Sequence, residues 1–122
     1  MRSRGTDRRD REGTAGLSAA YREAVLEVVA SIPTGRVMAY SAIADYLAEA
    51  WQVRSPRLIG RIMAGCNGEL PWHRVVQASG AAARGHEAEA LRRLRREGTP
   101  LRGARVAMRT AAWAPVVPPP RP

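Results

Sequence analysis

A chain of 122 residues supports one domain with a single buried core plus tails, and excludes a separate catalytic partner domain alongside it. Its 20 basic residues, all arginine, outnumber 11 acidic ones for a net charge of +9. Guanidinium groups grip phosphates and base edges in a planar, bidentate way, so a nucleic-acid partner is favoured. Arginine enrichment from a GC-rich genome would give the same count, and charge alone does not separate the two. One cysteine, Cys66, excludes an internal disulfide and a thiolate metal cluster. No stretch approaches the roughly 20 apolar residues of a membrane span. A soluble, cytoplasmic protein without metal or cofactor is expected.

Residues 1–16 mix five arginines with acidic residues and glycines and lack apolar periodicity, so a disordered basic tail is predicted there. Tyr21, Val25, Val28, Val29 and Ile32 share one helical face; Ser18 is the expected cap and Pro33-Thr34-Gly35 the stop. Val37-Met38-Ala39 reads as a short extended link. Ser41 then caps a second helix that turns Ile43, Tyr46 and Leu47 inward. Ser55, with Pro56 at the first helical position, opens a third helix through Leu58, Ile59, Ile62 and Met63 that ends near Gly65. Two short helices joined by a brief loop predict a helix-turn-helix. Residues 72–78 read as extended, Ser79-Gly80 as a turn, and His86 to Glu97 as a charged helix stopped by Gly98 and Pro100. Residues 102–108 alternate like a strand or wing. Residues 115–122 are proline-rich and are expected to be a disordered or extended tail, leaving a domain over 17–114.

Several motifs stand in a specific order: Ile32-Pro33-Thr34-Gly35-Arg36-Val37 leading to Tyr40, Arg57-Leu58-Ile59-Gly60, Asn67, Pro71-Trp72-His73-Arg74-Val75-Val76, and Glu97-Gly98. Over roughly residues 19–98 this pattern resembles the C-terminal DNA-binding domain of the O6-alkylguanine-DNA alkyltransferases. The expected fold is therefore mainly α with a short β wing, a winged-helix-like helix-turn-helix. In those enzymes the residue between proline and histidine is the cysteine that accepts the alkyl group. Here it is Trp72, whose indole is neither ionisable near neutral pH nor a usable nucleophile. The family's N-terminal domain is expected to be missing. A single-domain version with tryptophan for cysteine is similar to the alkyltransferase-like proteins, non-enzymatic binders of alkylated DNA that hand lesions to nucleotide excision repair.

The resemblance assigns roles residue by residue. Arg57 is the finger that enters the duplex when the damaged nucleotide rotates out, with its helix in the minor groove; alone, it would read as a solvated arginine. Gly60 lets DNA pack closely, and Ser41 lies at the same surface. Tyr40 presses on the phosphate beside the flipped nucleotide, against the alternative of ordinary half-buried packing. Pro71, Trp72, His73, Val75, Val76 and Tyr40 form the lesion pocket, in which the indole stacks on the base and the backbone of Val75 and Val76 reads its edge. His73 and Glu97 occupy the places of the enzymes' proton relay and are left a structural role; the alternative is a surface pair of Glu97 with Arg93, worth only about 0.3 kcal/mol. Asn67 pins the turn between helix and pocket, or is an ordinary turn residue. The chain departs from the enzymes at 81–87, where Ala-Ala-Ala-Arg-Gly-His-Glu replaces a glycine-rich loop with an aromatic residue that closes over the alkyl group. A less closed pocket accepting bulkier adducts is the expectation.

The leading reading is a monomer that recognises O6-alkylguanine in double-stranded DNA by base flipping and recruits excision-repair proteins. A self-alkylating transferase using Cys66 and a winged-helix transcription regulator are the alternatives.

Overall fold

The computed structural model describes residues 19–66 and 69–122. The predicted basic tail over 1–16, the Ser18 cap and Asn67 lie outside the described residues. Helix α1 runs over 19–31 and buries Tyr21, Val25, Val28 and Val29, with Ile32 following, as the periodicity requires. The Arg36 amide donates to the Pro33 carbonyl at 3.1 Å, and Gly35 at φ +84° carries the chain through the turn.

Strand β1 (Met38–Ala39) leads straight into α2 (Tyr40–Trp51). This corrects the expected Ser41 cap: Ala39 holds the cap position in extended conformation, with no side-chain cap bond, and Ser41 lies inside the first turn. Ala39 is already fixed by pairing with β2 (Val75–Val76), so the helix starts where the strand stops. Gln52, left-handed at φ 56°, closes α2 with its amide on the Ala48 carbonyl. Helix α3 (Pro56–Ala64) begins as expected, with the Leu58 amide donating to Ser55 Oγ at 3.1 Å, and stops at Gly65. The α2–α3 pair is the helix-turn-helix.

Residues 72–78 are not all extended. Trp72–Arg74 form a single 3₁₀ turn, closed by the Arg74 amide on the Pro71 carbonyl at 3.0 Å, and only Val75–Val76 are strand. β2 pairs in parallel with β1, Met38 opposite Val75 and Ala39 opposite Val76. Side chains alternate across a strand, so Val75 enters the core formed by α1, α2 and α3, while Val76 joins Val37, Leu94, Val106 and Ala111 in a second cluster. Helix α4 (Glu87–Arg96) buries Ala90 and Leu94, and Leu94 belongs to that second cluster. The wing is the hairpin β3 (Leu101–Arg102) and β4 (Arg105–Val106), followed by a helix the sequence reading did not foresee, α5 (Met108–Ala111).

The proline-rich end, expected to be an extended or disordered tail, makes two hydrogen bonds to α2. Tyr46 Oη donates to the Val117 carbonyl at 2.7 Å and Trp51 Nε1 to that of Pro120 at 2.6 Å. Among the described residues no helix is long and apolar enough to cross a membrane.

Candidate nucleic-acid interface

Helix α3 sets its outer face by spacing. Arg57, Gly60, Arg61 and Ala64 recur at helical intervals and face a groove, while Ile59 and Ile62 point into the core. The groove encloses about 960 Å³. One rim is α3, one end is Tyr40 and Ser41 at the start of α2, and the opposite wall is Trp72 with Gln77, Ala78, Ala83, Arg84 and His86. A Cβ placed on Gly60 would meet no atom within 4 Å, so nothing inside the fold requires glycine there. Its bareness is available to whatever approaches from outside.

Arg57 is exposed, in the first turn of α3, and makes no hydrogen bond or ion pair among the described residues. The helix N-terminus adds the partial positive charge of unpaired amides, which favours a phosphate nearby. Tyr40 is half-buried, and burial pushes its phenol pKa up, so the hydroxyl remains a proton-bearing donor.

The indole of Trp72 is held on several sides. The Arg93 guanidinium lies 5.5 Å from its centroid, the His86 ring meets it edge-on at 5.7 Å, and the His73 ring does so at 6.0 Å. Arg93 is itself oriented by Glu89, its Nε donating to Oε1 at 3.1 Å. This removes the alternative pairing of Arg93 with Glu97.

Behind Trp72 the chain turns inward. His73 is buried, and its Nε2 lies 2.9 Å from Glu97 Oε1. Arg74 Nε donates to both carboxylate oxygens at 3.0 and 2.9 Å, and Nη2 to Oε2 at 2.5 Å. The same guanidinium reaches the Ile32 carbonyl with Nη1 at 2.8 Å and Thr34 Oγ1 with Nη2 at 3.0 Å. Burial alone would raise the Glu97 pKa, but the hydrogen bonds and charges of Arg74 and His73 outweigh it and hold the carboxyl below its usual value. Burial lowers the His73 pKa and, with repulsion from Arg74 and Arg93, prevails over the pull of Glu97. A neutral His73 therefore donates through Nε2 to the carboxylate, and its buried Nδ1 is left without a partner.

The structure thus brings Tyr40, Ser41, Arg57, Gly60 and Trp72 to one groove and sets Pro71, His73, Val75, Val76 and Glu97 apart from its lining. The valine side chains are fully buried, and His73 and Glu97 line a separate small cleft together with Arg93. Sequence reasoning missed Arg74, whose signal was its place directly after His73, and Gln77, Arg84 and Arg93, which become neighbours of the site only through the fold. Cys66 lines the groove, but its thiol donates to the Ile62 carbonyl at 3.4 Å. Burial raises its pKa against the lowering charge of Arg22, so the thiol stays protonated. Among the described residues no group of three or more His, Cys, Asp or Glu is arranged to hold a metal ion.

The model of the 6-O-methylguanine DNA methyltransferase DNA-binding domain matches residues 20–99, most of the chain. The chain belongs to that family. Its fold is also that of two solved structures from S. pombe. Atl1 in complex with damaged DNA containing O6-carboxymethylguanine is 24% identical with a TM-score of 0.66, the alignment covering 78% of this chain and 95% of that one. ATL in complex with DNA is 25% identical with a TM-score of 0.67 and the same coverage, 78% and 95%. No curated protein sequence matches. Both walls of the groove, α3 and Trp72, fall within the stretch that the family model matches.

Proposed function

We propose that this chain is a sensor of O6-alkylguanine in duplex DNA that performs no alkyl transfer. The observation that carries the reading is Trp72 in the wall of the groove, held by Arg93 and His86; the Pro-Trp-His-Arg motif's resemblance puts it where the enzymes have their alkyl-accepting cysteine. In the reading, α3 lies in the minor groove, Arg57 fills the space vacated by the lesion, Tyr40 presses on the adjacent phosphate, and the flipped base rests against the indole. Flipping costs a few kcal/mol, least for a base whose pairing alkylation has already weakened. Exposed Arg57, bare Gly60 and the half-buried Tyr40 hydroxyl around one groove support these roles. So do the S. pombe neighbours, which were solved with damaged DNA and with DNA.

The absence of transfer rests on the residues at hand. Trp72 offers no thiolate, and the one thiol in the groove, Cys66, is protonated and bonded to backbone. His73 and Glu97 have no proton to move and act as structure. The molecule works as a cytoplasmic monomer that marks the lesion for nucleotide excision repair.

The test is binding of the purified protein, at fixed salt, to matched duplexes carrying guanine or O6-methylguanine at one position, followed by intact mass. Tighter binding to the lesion with unchanged mass is expected, and Trp72→Ala should reduce that preference. A methyl mass gain would make Cys66 an acceptor, and equal affinity for both duplexes would refute lesion sensing.

A further inference from the structure

The wing is fastened to the wall of the groove. The Gln77 amide donates to the Ala81 carbonyl at 2.9 Å, the Val106 amide donates to the Gly80 carbonyl at 2.8 Å, and Ala81 pairs antiparallel with Arg105. Within the hairpin Leu101 stands opposite Val106, and Arg102 opposite Arg105. Residues directly opposite in an antiparallel pair share a face, and successive residues alternate between faces. Leu101 and Val106 therefore turn into the second core cluster, while Arg102 and Arg105 stand together on the outer face, both exposed. Ala81, opposite Arg105, shares that outer face. Ala82 is buried, so Ala81 and Ala83 both look outward, and Ala83 lines the groove with Arg84.

One continuous surface thus runs from Arg84 and Ala83 in the groove, across Ala81, to Arg105 and Arg102. Adjacent strands lie about 4.8 Å apart, so Arg105 stands one such step beyond Ala81 and Arg102 two, roughly 10 Å in all. The two alanines leave nothing tall between the groove and the hairpin arginines. Among the described residues neither of these guanidinium groups makes a hydrogen bond or an ion pair. Like charges directly opposite on a sheet destabilise it, so the pair is strained in the free protein until an anion bridges it. Duplex DNA carries one phosphate per about 3.4 Å of axis on each strand, so a strip of roughly 10 Å faces about three phosphates of one strand. Guanidinium forks hold phosphate oxygens in a bidentate way.

We propose that the β3–β4 hairpin is a second DNA-contacting element, in which Arg102 and Arg105 bind backbone phosphates of the duplex beside the groove. This contact presupposes the proposed seating of duplex DNA against α3 and Trp72, and it carries no information about the base. Phosphate contacts position a duplex, and contacts to the bases read it. The hairpin therefore raises affinity for damaged and undamaged DNA alike and leaves the ratio between them to the groove.

The test compares the full chain with a double variant, Arg102→Gln with Arg105→Gln, on matched duplexes carrying guanine or O6-methylguanine. Each phosphate contact contributes about 0.9 to the fall of log affinity with log salt, so the variant's slope should be shallower by about 1.8 on both duplexes. Between about 50 and 200 mM salt the unaltered chain should then lose about twelvefold more affinity than the variant. Arg102→Lys with Arg105→Lys keeps the charge and should keep the slope, and circular dichroism checks that each variant is folded. Duplexes with single methylphosphonates locate the contacts. Neutral positions on one strand beside the lesion should weaken the unaltered chain and leave the glutamine variant unaffected, a selectivity that loss of overall charge would not produce. An unchanged slope in the folded glutamine variant would overturn the proposal, as would the same response of both proteins to every methylphosphonate. Equal affinity of the unaltered chain for the two duplexes would instead sink lesion sensing, and the hairpin contact would stand if the slope still changed.

Discussion

Arg74→Ala should cost more than any other truncation of a charged side chain in this molecule. The guanidinium holds the Glu97 carboxylate, the Ile32 carbonyl and Thr34 Oγ1 together, and its loss leaves Glu97 with His73 alone. Removing one partner of a buried ion pair costs 3–5 kcal/mol. The Arg74 and Glu97 side chains are 17% and 13% exposed, so water softens the effect and about 3 kcal/mol is expected. For a domain of this size that lowers Tm by about 10 °C. The loss should also depend on pH. In the native protein both His73 and Glu97 have lowered pKa values, so their contributions are present above the unfolded values of 6.5 and 4.5 and are lost as pH falls through the folded ones. Without Arg74, His73 is freed of one repulsive charge and keeps Glu97, so its pKa rises. A less depressed histidine loses less stability as pH falls through its folded value. Between about pH 7.5 and 5.5 the two proteins therefore move towards each other, by about 1 kcal/mol for each pKa unit gained by His73. Guanidinium unfolding followed by circular dichroism at the two pH values measures the gap. A cost below about 1 kcal/mol, or a gap that widens on acidification, would refute the reasoning.

Gly80→Ala should destabilise by about 2–4 kcal/mol, since a Cβ there meets the Val106 carbonyl oxygen and the backbone stands at φ +88°; thermal melting reads this directly. Cys66→Ala should cost about 1 kcal/mol for a lost weak hydrogen bond and a small void, while preference for O6-methylguanine duplex and the protein's intact mass stay unchanged. Arg93→Ala uncovers one face of Trp72 and should lower stability by under about 1 kcal/mol, while the indole N–H of Trp72 becomes more mobile by NMR relaxation and preference for the lesion falls. An unchanged relaxation rate would show that Arg93 does not hold the ring.

The elements set by local chemistry were legible in the sequence. The Ser55-Pro56 start of α3 and the apolar stripe of α1 depend on residues a few positions apart, and both form where the pattern places them. What was illegible is what depends on distant partners. Ser41 has the chemistry of a cap, yet pairing of Ala39 with Val76 starts the helix before it. Trp72–Arg74 lie in a stretch that reads as strand, but Arg74 reaches back to Ile32 and bends it into a 3₁₀ turn. The proline-rich end has no core-forming residues of its own, and only the donors of Tyr46 and Trp51, some 70 residues earlier, give it a place. At the site, the groove-facing residues of α3 followed from helical spacing, whereas Gln77, Arg84 and Arg93 reach the groove or its indole from the other side of the β2 crossing.

A buried histidine–carboxylate pair with no thiol to serve would be expected to drift, because desolvating a charge is costly unless its partners are fixed. Here Arg74 gives Glu97 a different task. One carboxylate at the end of α4 is tied through one guanidinium to the turn after α1 and through His73 to the 3₁₀ turn, so three parts of the chain meet at a single point. That point adjoins Trp72 in the chain, and Arg93 and His86 of the α4 region contact the indole itself. The groove wall is thus ordered before anything binds, so under the proposed reading a base resting against it would immobilise little further side-chain freedom. Under that reading, the rigidity suits a protein that receives a flipped base and leaves it unaltered.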